Sequence, residues 1–170
     1  MFVNKKVAEA NLSIPVFIQE YIQEAQRLLS SVEATNTYGE QIGFETAIID
    51  LATKLLKLNC DSRQLVFLIG NGGSAGISSE TSHRLWKFCD IPARTFNDAV
   101  IMSSTANDHG WEEVFSRPLL VHSYPGDILI AVSSSGKSQN ILNAIKSARS
   151  KSFAKIVTLS GFNSVNPLRL

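Results

Sequence analysis

Two stretches of this chain carry residue types that chemistry could use. The first is Gly70-Asn71-Gly72-Gly73-Ser74, which follows the apolar run Leu65-Val66-Phe67-Leu68-Ile69. The second is Ser133-Ser134-Ser135-Gly136-Lys137-Ser138, which follows Asp127-Ile128-Leu129-Ile130-Ala131-Val132. In each, an apolar run of strand length breaks into residues suited to a tight turn, and a helix-compatible segment comes next. Glycine adopts backbone angles that a Cβ resists. The first amides of the following helix have no partner within it, and together with the helix dipole they favour an anion at that spot. Serine adds an O–H donor beside its N–H without filling the space. Ser133, Ser134, Ser135 and Ser138 therefore read as a hydroxyl and amide nest for one phosphate monoester. Taken alone, Ser-Ser-Ser-Gly would be a polar turn and helix cap; the parallel with the first loop reverses that preference.

Neither loop fits the common nucleotide motifs well. Gly70 to Ala75 matches G-x-G-x-x-A letter for letter, but a dinucleotide site needs an acidic residue at the end of the next strand, about twenty residues on. Asp90 has that distance, yet it precedes the expected strand. Ala131 to Ser138 resembles a P-loop with alanine in place of its first glycine, and no other strand ends in a convincing Mg²⁺-binding aspartate. Nicotinamide chemistry and nucleotide hydrolysis are both disfavoured.

The elements that must hold these loops follow from periodicity. Ser13-Ile14-Pro15 suits a helix start, a capping serine with proline in the first turn. Phe17, Ile18, Tyr21, Ile22, Ala25, Leu28 and Leu29 recur at helical spacing after it. Thr35 to Gly39 reads as a polar turn, and Ile42, Ala47, Ile48, Leu51, Ala52, Leu55 and Leu56 form a second stripe ending near Asn59. This helical hairpin either covers the core or supplies a contact between subunits. From Gln64 onward the pattern is α/β: strand 65–69, helix 74–88, a short strand 93–96 after the break at Pro92, and a short helix 99–106. Asn107-Asp108-His109-Gly110 reads as a turn, 111–122 as a helix, 127–132 as a strand, 138–151 as a helix and 155–159 as a strand. Apolar strands alternating with helices predict a parallel sheet covered on both faces, with ligands at the carboxyl ends of its strands. After 159 there is no helix to cover the last strand, so the sheet either lacks its final βα unit or is covered there by a partner.

The 170 residues are most simply one domain, with a helical part over 1–60 and an α/β core over 64–170. A hydrophobic content of 44% and a charged content of 18% suit a globular chain, and a net charge of +1 gives no reason to expect direct nucleic-acid binding. Cys60 and Cys89 share no metal-type spacing and read as reduced thiols. No apolar run approaches membrane-spanning length, and Met1 to Lys6 lacks the start of a secretory signal, so no membrane partner and a cytoplasmic location are expected.

Gly70-Asn71-Gly72-Gly73-Ser74-Ala75, then Ala106-Asn107-Asp108-His109-Gly110, Glu113-Val114-Phe115-Ser116-Arg117 and the segment from Gly126 to Ser138 together resemble the SIS (sugar isomerase) domain family. The likeness extends over nearly the whole chain and is nearest to the phosphoheptose isomerase branch. It implies a three-layer αβα sandwich with a parallel, flavodoxin-like sheet, a homotetramer, and active sites shared between subunits. By the same resemblance Asn71, Gly72, Gly73 and Ser74 form a substrate loop, Asn107 and Asp108 a substrate-contacting pair, and Ser133, Ser134, Ser135 and Ser138 the phosphate loop. Lys137 stands where the isomerases usually have asparagine, and either adds charge toward the phosphate or faces solvent.

The chain departs from that family's pattern on the helix after the first loop. The isomerases carry there a zinc-ligating His and, one turn on, a Glu that ligands zinc and serves as acid/base; the matching residues here are Glu80 and Arg84. Zinc is thus implied by the family but not by this chain's residues, and no cofactor is assigned. The family's later Gln and catalytic His lie in a C-terminal helix that this sequence does not include. Aldose–ketose interconversion needs a base near C1 and C2 and an acid for the neighbouring oxygen. Glu80 and His83, three apart on one helix, are the candidate catalytic residues, against a purely structural Glu/His pair. His109 is a lesser candidate, and His122 suits the carbonyls at a helix end. The resulting expectation is a phosphosugar isomerase acting on a sugar such as sedoheptulose 7-phosphate in lipopolysaccharide or capsule synthesis. The alternative is a non-catalytic SIS protein, either a phosphosugar sensor or a tetrameric bridge between replication-initiator molecules.

Overall fold

The computed structural model describes residues 14–58 and 63–169. Ser13, Asn59, Cys60 and the segment from Met1 to Lys6, on which sequence expectations fell, lie outside the described residues. By its internal contacts the chain divides into Met1–Ala47 and Ile48–Leu170.

In the first unit α1 spans Ile14–Ser30. Its apolar residues Ile14, Ile18, Tyr21, Ile22, Leu28 and Leu29 are all exposed, and Arg27 pairs with Glu24 one turn earlier at 2.8 Å. The polar turn expected at Thr35 to Gly39 is present as the reversal of a short two-stranded antiparallel ribbon, whose strands β1 Ala34–Thr35 and β2 Gln41–Ile42 the sequence did not show. Asn36 organises it. Its Oδ1 accepts from the amides of Tyr38 and Glu40, and its Nδ2 donates to the Glu40 carboxylate. Gly39 takes the positive φ of 78° that the reversal needs. Strands of two residues carry no alternation, so the pattern could not reveal them. The first two helices are consequently joined through a ribbon rather than as a bare helical hairpin.

The second unit begins within α2, Phe44–Leu55. Its sheet has four strands, β3 Val66–Gly70, β4 Ala93–Arg94, β5 Ile128–Val132 and β6 Lys155–Leu159. All pairings are parallel, in the order β4-β3-β5-β6. Taken in chain order that is 2-1-3-4, which agrees with the first four positions of the flavodoxin-like 2-1-3-4-5 sheet. The apolar runs of β3 and β5 are buried on both faces, as a central parallel strand requires. On one face Phe67, Ile69, Leu129 and Ala131 pack with Val114, Phe115, Leu119, Ile141 and Ala144. On the other, Val66, Leu68, Ile128 and Ile130 pack with Ile91, Leu55, Leu58 and Leu85. This is the αβα layering expected from the alternation of elements.

Between the strands run α3 Gly73–Cys89, α4 Ala99–His109, a 3-10 turn at Trp111–Glu113, α5 Ser116–His122 and α6 Gln139–Ser150. Two boundaries differ from the sequence reading. α4 runs through Asn107, Asp108 and His109, which were expected as a turn; Asp98 caps its start and Gly110, at φ 90°, ends it. The expected helix 111–122 is a 3-10 turn followed by a shorter α-helix. Beyond β6 the residues to 169 form turns that double back, with the amides of Gly161 and Phe162 both donating to the Ser134 carbonyl. β6 is left half-buried, and Leu159 is exposed. No helix among the described residues is long and apolar enough to cross a membrane.

Candidate functional site

The site follows from strand register. β3 and β5 are neighbours, and Gly70 lies opposite Val132, so the two loops leave the sheet level and side by side. The chain proceeds from β3 toward β4 on one side and crosses to β5 on the other. That reversal of strand order is where parallel sheets open a crevice.

Gly70 is required where strand passes into helix, because a Cβ there would lie 2.7 Å from the backbone of Ser74. Gly72 takes a φ of 54° at the start of α3. Asn71, between them, turns toward the second loop. Its Nδ2 donates to Oδ1 of Asn140 at 3.0 Å, and Nδ2 of Asn140 donates back to Oδ1 of Asn71 at 2.9 Å. Asn140, in the first turn of α6, is only 2% exposed. The two cradles are thus tied by a reciprocal amide pair.

In the serine loop, the amide of Gly136 donates to the Ser133 carbonyl, closing a turn with Gly136 at φ 65°. The Ser133 amide completes the ladder to Leu159, so it belongs to the sheet rather than to an anion. Ser135 Oγ accepts from the Lys137 amide at 3.2 Å. Ser138 stands at the N-cap of α6 without its side chain capping the helix; its hydroxyl lies 3.3 Å from Ser133 Oγ instead. The buried Asn166 supports the loop from behind: its Oδ1 fills the space that a Cβ at Gly136 would need. Asn166 is itself fixed, donating to Ser160 Oγ and the Asn163 carbonyl and accepting from the Leu168 amide.

These loops frame two adjoining depressions. One, of about 240 Å³, is lined by Asn71, Ser74, Val132, Ser133, Ser134, Ser135, Ser138 and Phe162. The other, of about 380 Å³, is lined by Asn71, Ser138, Trp111, Glu112, Gln139 and Asn140. Asn71 and Ser138 belong to both, so the depressions meet at that pair. The serine side offers hydroxyls and amides and no charge. The other side offers side-chain amides, an aromatic edge and one carboxylate.

Of the residues expected from sequence, Asn71, Ser74 and all four serines of the second loop line the depressions. Gly72 and Gly73 shape the turn beside them and line neither. Asn107 and Asp108 are exposed on the last turn of α4, where the Asn107 amide donates to the Asp108 carboxylate, and they too lie outside the lining. Lys137 is exposed and lines neither depression. Glu80 and His83 sit on α3 and line neither depression. Glu80 pairs with Arg84 at 2.7 Å, and the His83 ring lies 4.9 Å from Trp86. The Arg84 guanidinium holds the Glu80 carboxyl below its ordinary range, away from the neutral pKa that suits a general acid or base. Asp90, the acid considered for a dinucleotide, is an exposed left-handed helix cap and does not end a strand.

The zinc positions do not fit the metal. A guanidinium has no lone pair to give, and Arg84 holds the carboxylate that could have served. Among the described residues no three His, Cys, Asp or Glu side chains gather as ligands would.

Sequence reasoning missed Asn140, Asn166, Gln139 and Glu112. Glu112 was hidden by reading 111–122 as one regular helix.

A family model for the SIS domain matches residues 20–161. A phosphoheptose isomerase of Chromohalobacter salexigens is 33% identical over 138 residues, 78% of this chain and 68% of that protein. One from Shewanella sp. is 37% identical over 102 residues, 56% of this chain and 51% of that protein. The chain thus spans two thirds of the first relative and about half of the second. A solved phosphoheptose isomerase from Francisella tularensis superimposes with a TM-score of 0.76 at 21% identity, over 93% of this chain and 80% of that one. At that identity the likeness concerns the fold.

Proposed function

The chain belongs to the SIS domain family, and on that premise we propose that it is a phosphosugar isomerase of the phosphoheptose type. It interconverts ketose and aldose forms of a sugar phosphate such as sedoheptulose 7-phosphate. The observation that carries this reading is the meeting of two depressions at Asn71 and Ser138, one built of hydroxyls and the other of amides and a carboxylate. The phosphate seats among Ser133, Ser134, Ser135 and Ser138, where hydroxyls and helix-start amides replace its hydration without a fixed positive charge. The polyol then extends past Asn71. Holding the phosphate end fixed presents C1 and C2 to one position. No zinc is assigned, because Glu80 and Arg84 are paired with each other.

A homotetramer with sites shared between subunits, a cytoplasmic location and a place in lipopolysaccharide or capsule synthesis go with this reading. The exposed apolar stripe of α1 supports the association of subunits.

One observation favours a second reading. The carboxylate that the family uses as acid/base is replaced by Arg84, which suits a phosphosugar sensor without turnover. Incubation with sedoheptulose 7-phosphate, followed by NMR for the aldose, decides between them. Conversion supports the isomerase; saturable binding with no conversion supports the sensor.

A further inference from the structure

Among the described residues, Glu112 is the one titratable group that lines either depression. Its surroundings fix where its carboxylate goes. Gly110, with φ 90°, stands beneath it, and a Cβ at that position would meet Oε1 and Oε2 at 2.8 Å. The bare glycine therefore leaves the space that the carboxylate occupies. From the other side, Asn143 on α6 donates from Nδ2 to the Glu112 carbonyl at 3.3 Å and to the Glu113 carboxylate at 2.9 Å. Oδ1 of Asn143 accepts from Gln139 Nε2 at 2.7 Å, and Gln139 lines the same depression. Glu113 also accepts from the Ser116 hydroxyl.

The two neighbouring glutamates are thus divided in task. Glu113 anchors the 3-10 turn to α6 and α5. Glu112 makes no hydrogen bond or ion pair to another side chain among the described residues, and it borders the cavity next to the serine nest. Glu80, by contrast, is held by Arg84 outside that cavity.

Resting on the isomerase reading above, we propose that Glu112 is the catalytic residue that carries the proton between C1 and C2 of the bound sugar phosphate. Its carboxylate takes a proton from C1 of the ketose. The C–H electron pair becomes the C1=C2 bond, and the carbonyl pair moves to O2, which gains a proton. The carboxyl then returns its proton to C2 while O1 releases one to solvent and C1=O1 forms. The proton lost at O1 balances the one gained at O2. C1 is oxidised and C2 reduced by the same electron pair, so no external oxidant or cofactor is consumed.

The test compares wild-type protein with Glu112→Gln and Glu112→Asp. Conversion of sedoheptulose 7-phosphate and solvent-deuterium exchange at C1 are followed by NMR, and inorganic phosphate binding by its ³¹P shift. With the wild type active, Glu112→Gln is expected to lose both conversion and exchange, by about 10²–10⁴-fold in kcat. Its phosphate affinity should stay unchanged, and Glu112→Asp should recover part of the rate. Glu112→Gln turning over at close to the wild-type rate overturns the proposal and leaves the isomerase reading standing. So does a variant that has also lost phosphate binding, since that residue would be acting through the fold. A wild type that neither converts nor exchanges the sugar overturns both.

Discussion

Asn71 and Asn140 donate to each other across the mouth of the sheet, each amide nitrogen to the other's oxygen, at 3.0 and 2.9 Å. One follows β3 and the other opens α6, so this pair sets the spacing between the glycine turn and the serine nest. Asn140 is buried, and its Oδ1 also accepts from the Ile141 amide. A buried amide left without its partner keeps its desolvation cost. Asn140→Ala is expected to lower stability by about 1–3 kcal/mol in urea unfolding. Asn140→Asp should also weaken phosphosugar binding, because it keeps an acceptor and loses the donor that faces Asn71. The double change Asn71→Ala with Asn140→Ala should cost less than the two single changes added together, as for residues that share one interaction. Strict additivity would mean that the pair is not coupled.

Gly136 and Asn166 form the second such relationship, this time by exclusion. Gly136→Ala drives a methyl into Asn166 Oδ1 and forces alanine to φ 65°. The left-handed backbone alone costs about 1–2 kcal/mol. A lower melting temperature and weaker phosphosugar affinity are expected together, since the displaced loop carries the nest. Adding Asn166→Ala should relieve the clash and restore part of the affinity, while the backbone cost stays. Titration calorimetry on the single and double variants measures the affinities, and thermal unfolding measures the stability; an affinity unmoved by Gly136→Ala would separate this contact from the nest.

The contrast between these loops and the rest of the chain shows what the sequence made visible. The glycines after β3 and the serines after β5 mark abrupt ends to apolar runs, so both cradles and the parallel sheet could be read directly. Glu112 and Asn140 could not, because their roles depend on which side of a short helical turn faces a neighbouring element. Asn166 is separated from Gly136 by the whole of α6 and β6, and nothing local in Ser160 to Leu168 indicates that the chain returns to the serine loop. The ribbon at Asn36 was missed for a different reason, its strands being too short to show a period. What remained hidden around the site was in each case a contact between elements, which no local pattern encodes.

Asp127 ties the starts of β3 and β5 as the asparagine pair ties their ends. Fully buried, its carboxylate accepts from the Leu65 amide at 2.8 Å and the Tyr124 amide at 2.6 Å. Burial pushes its pKa up, while those two amides oppose the shift. Asp127→Asn keeps the shape but turns an NH₂ toward one backbone donor. The expected cost is about 1–3 kcal/mol of stability, read from the urea midpoint. Residues of the serine nest are far along the strand from this change, so phosphosugar affinity in the folded variant should hold. An unchanged midpoint would show that the two strand starts do not depend on this carboxylate.

Asp50 gives the acid limb of the stability curve its expected shape. Lys155 of the edge strand β6 bonds its carboxylate at 2.6 Å and Lys54 does so at 2.8 Å. These two ammonium groups hold its pKa down to about 2. A carboxyl whose pKa is lowered by folding stabilises the native state above its unfolded pKa, and that contribution is lost as the pH falls through the folded value. The loss should therefore run from about pH 4 down to about pH 2. Because the carboxylate is partly open to water, solvent and salt screen the pair, and the effect should shrink at high ionic strength. Asp50→Asn should flatten the curve across that interval by lowering neutral-pH stability modestly, the two proteins converging as the wild-type carboxylate is protonated. Urea midpoints of the two proteins from pH 7 to pH 2 make the comparison; parallel curves would remove Asp50 from the account of acid unfolding.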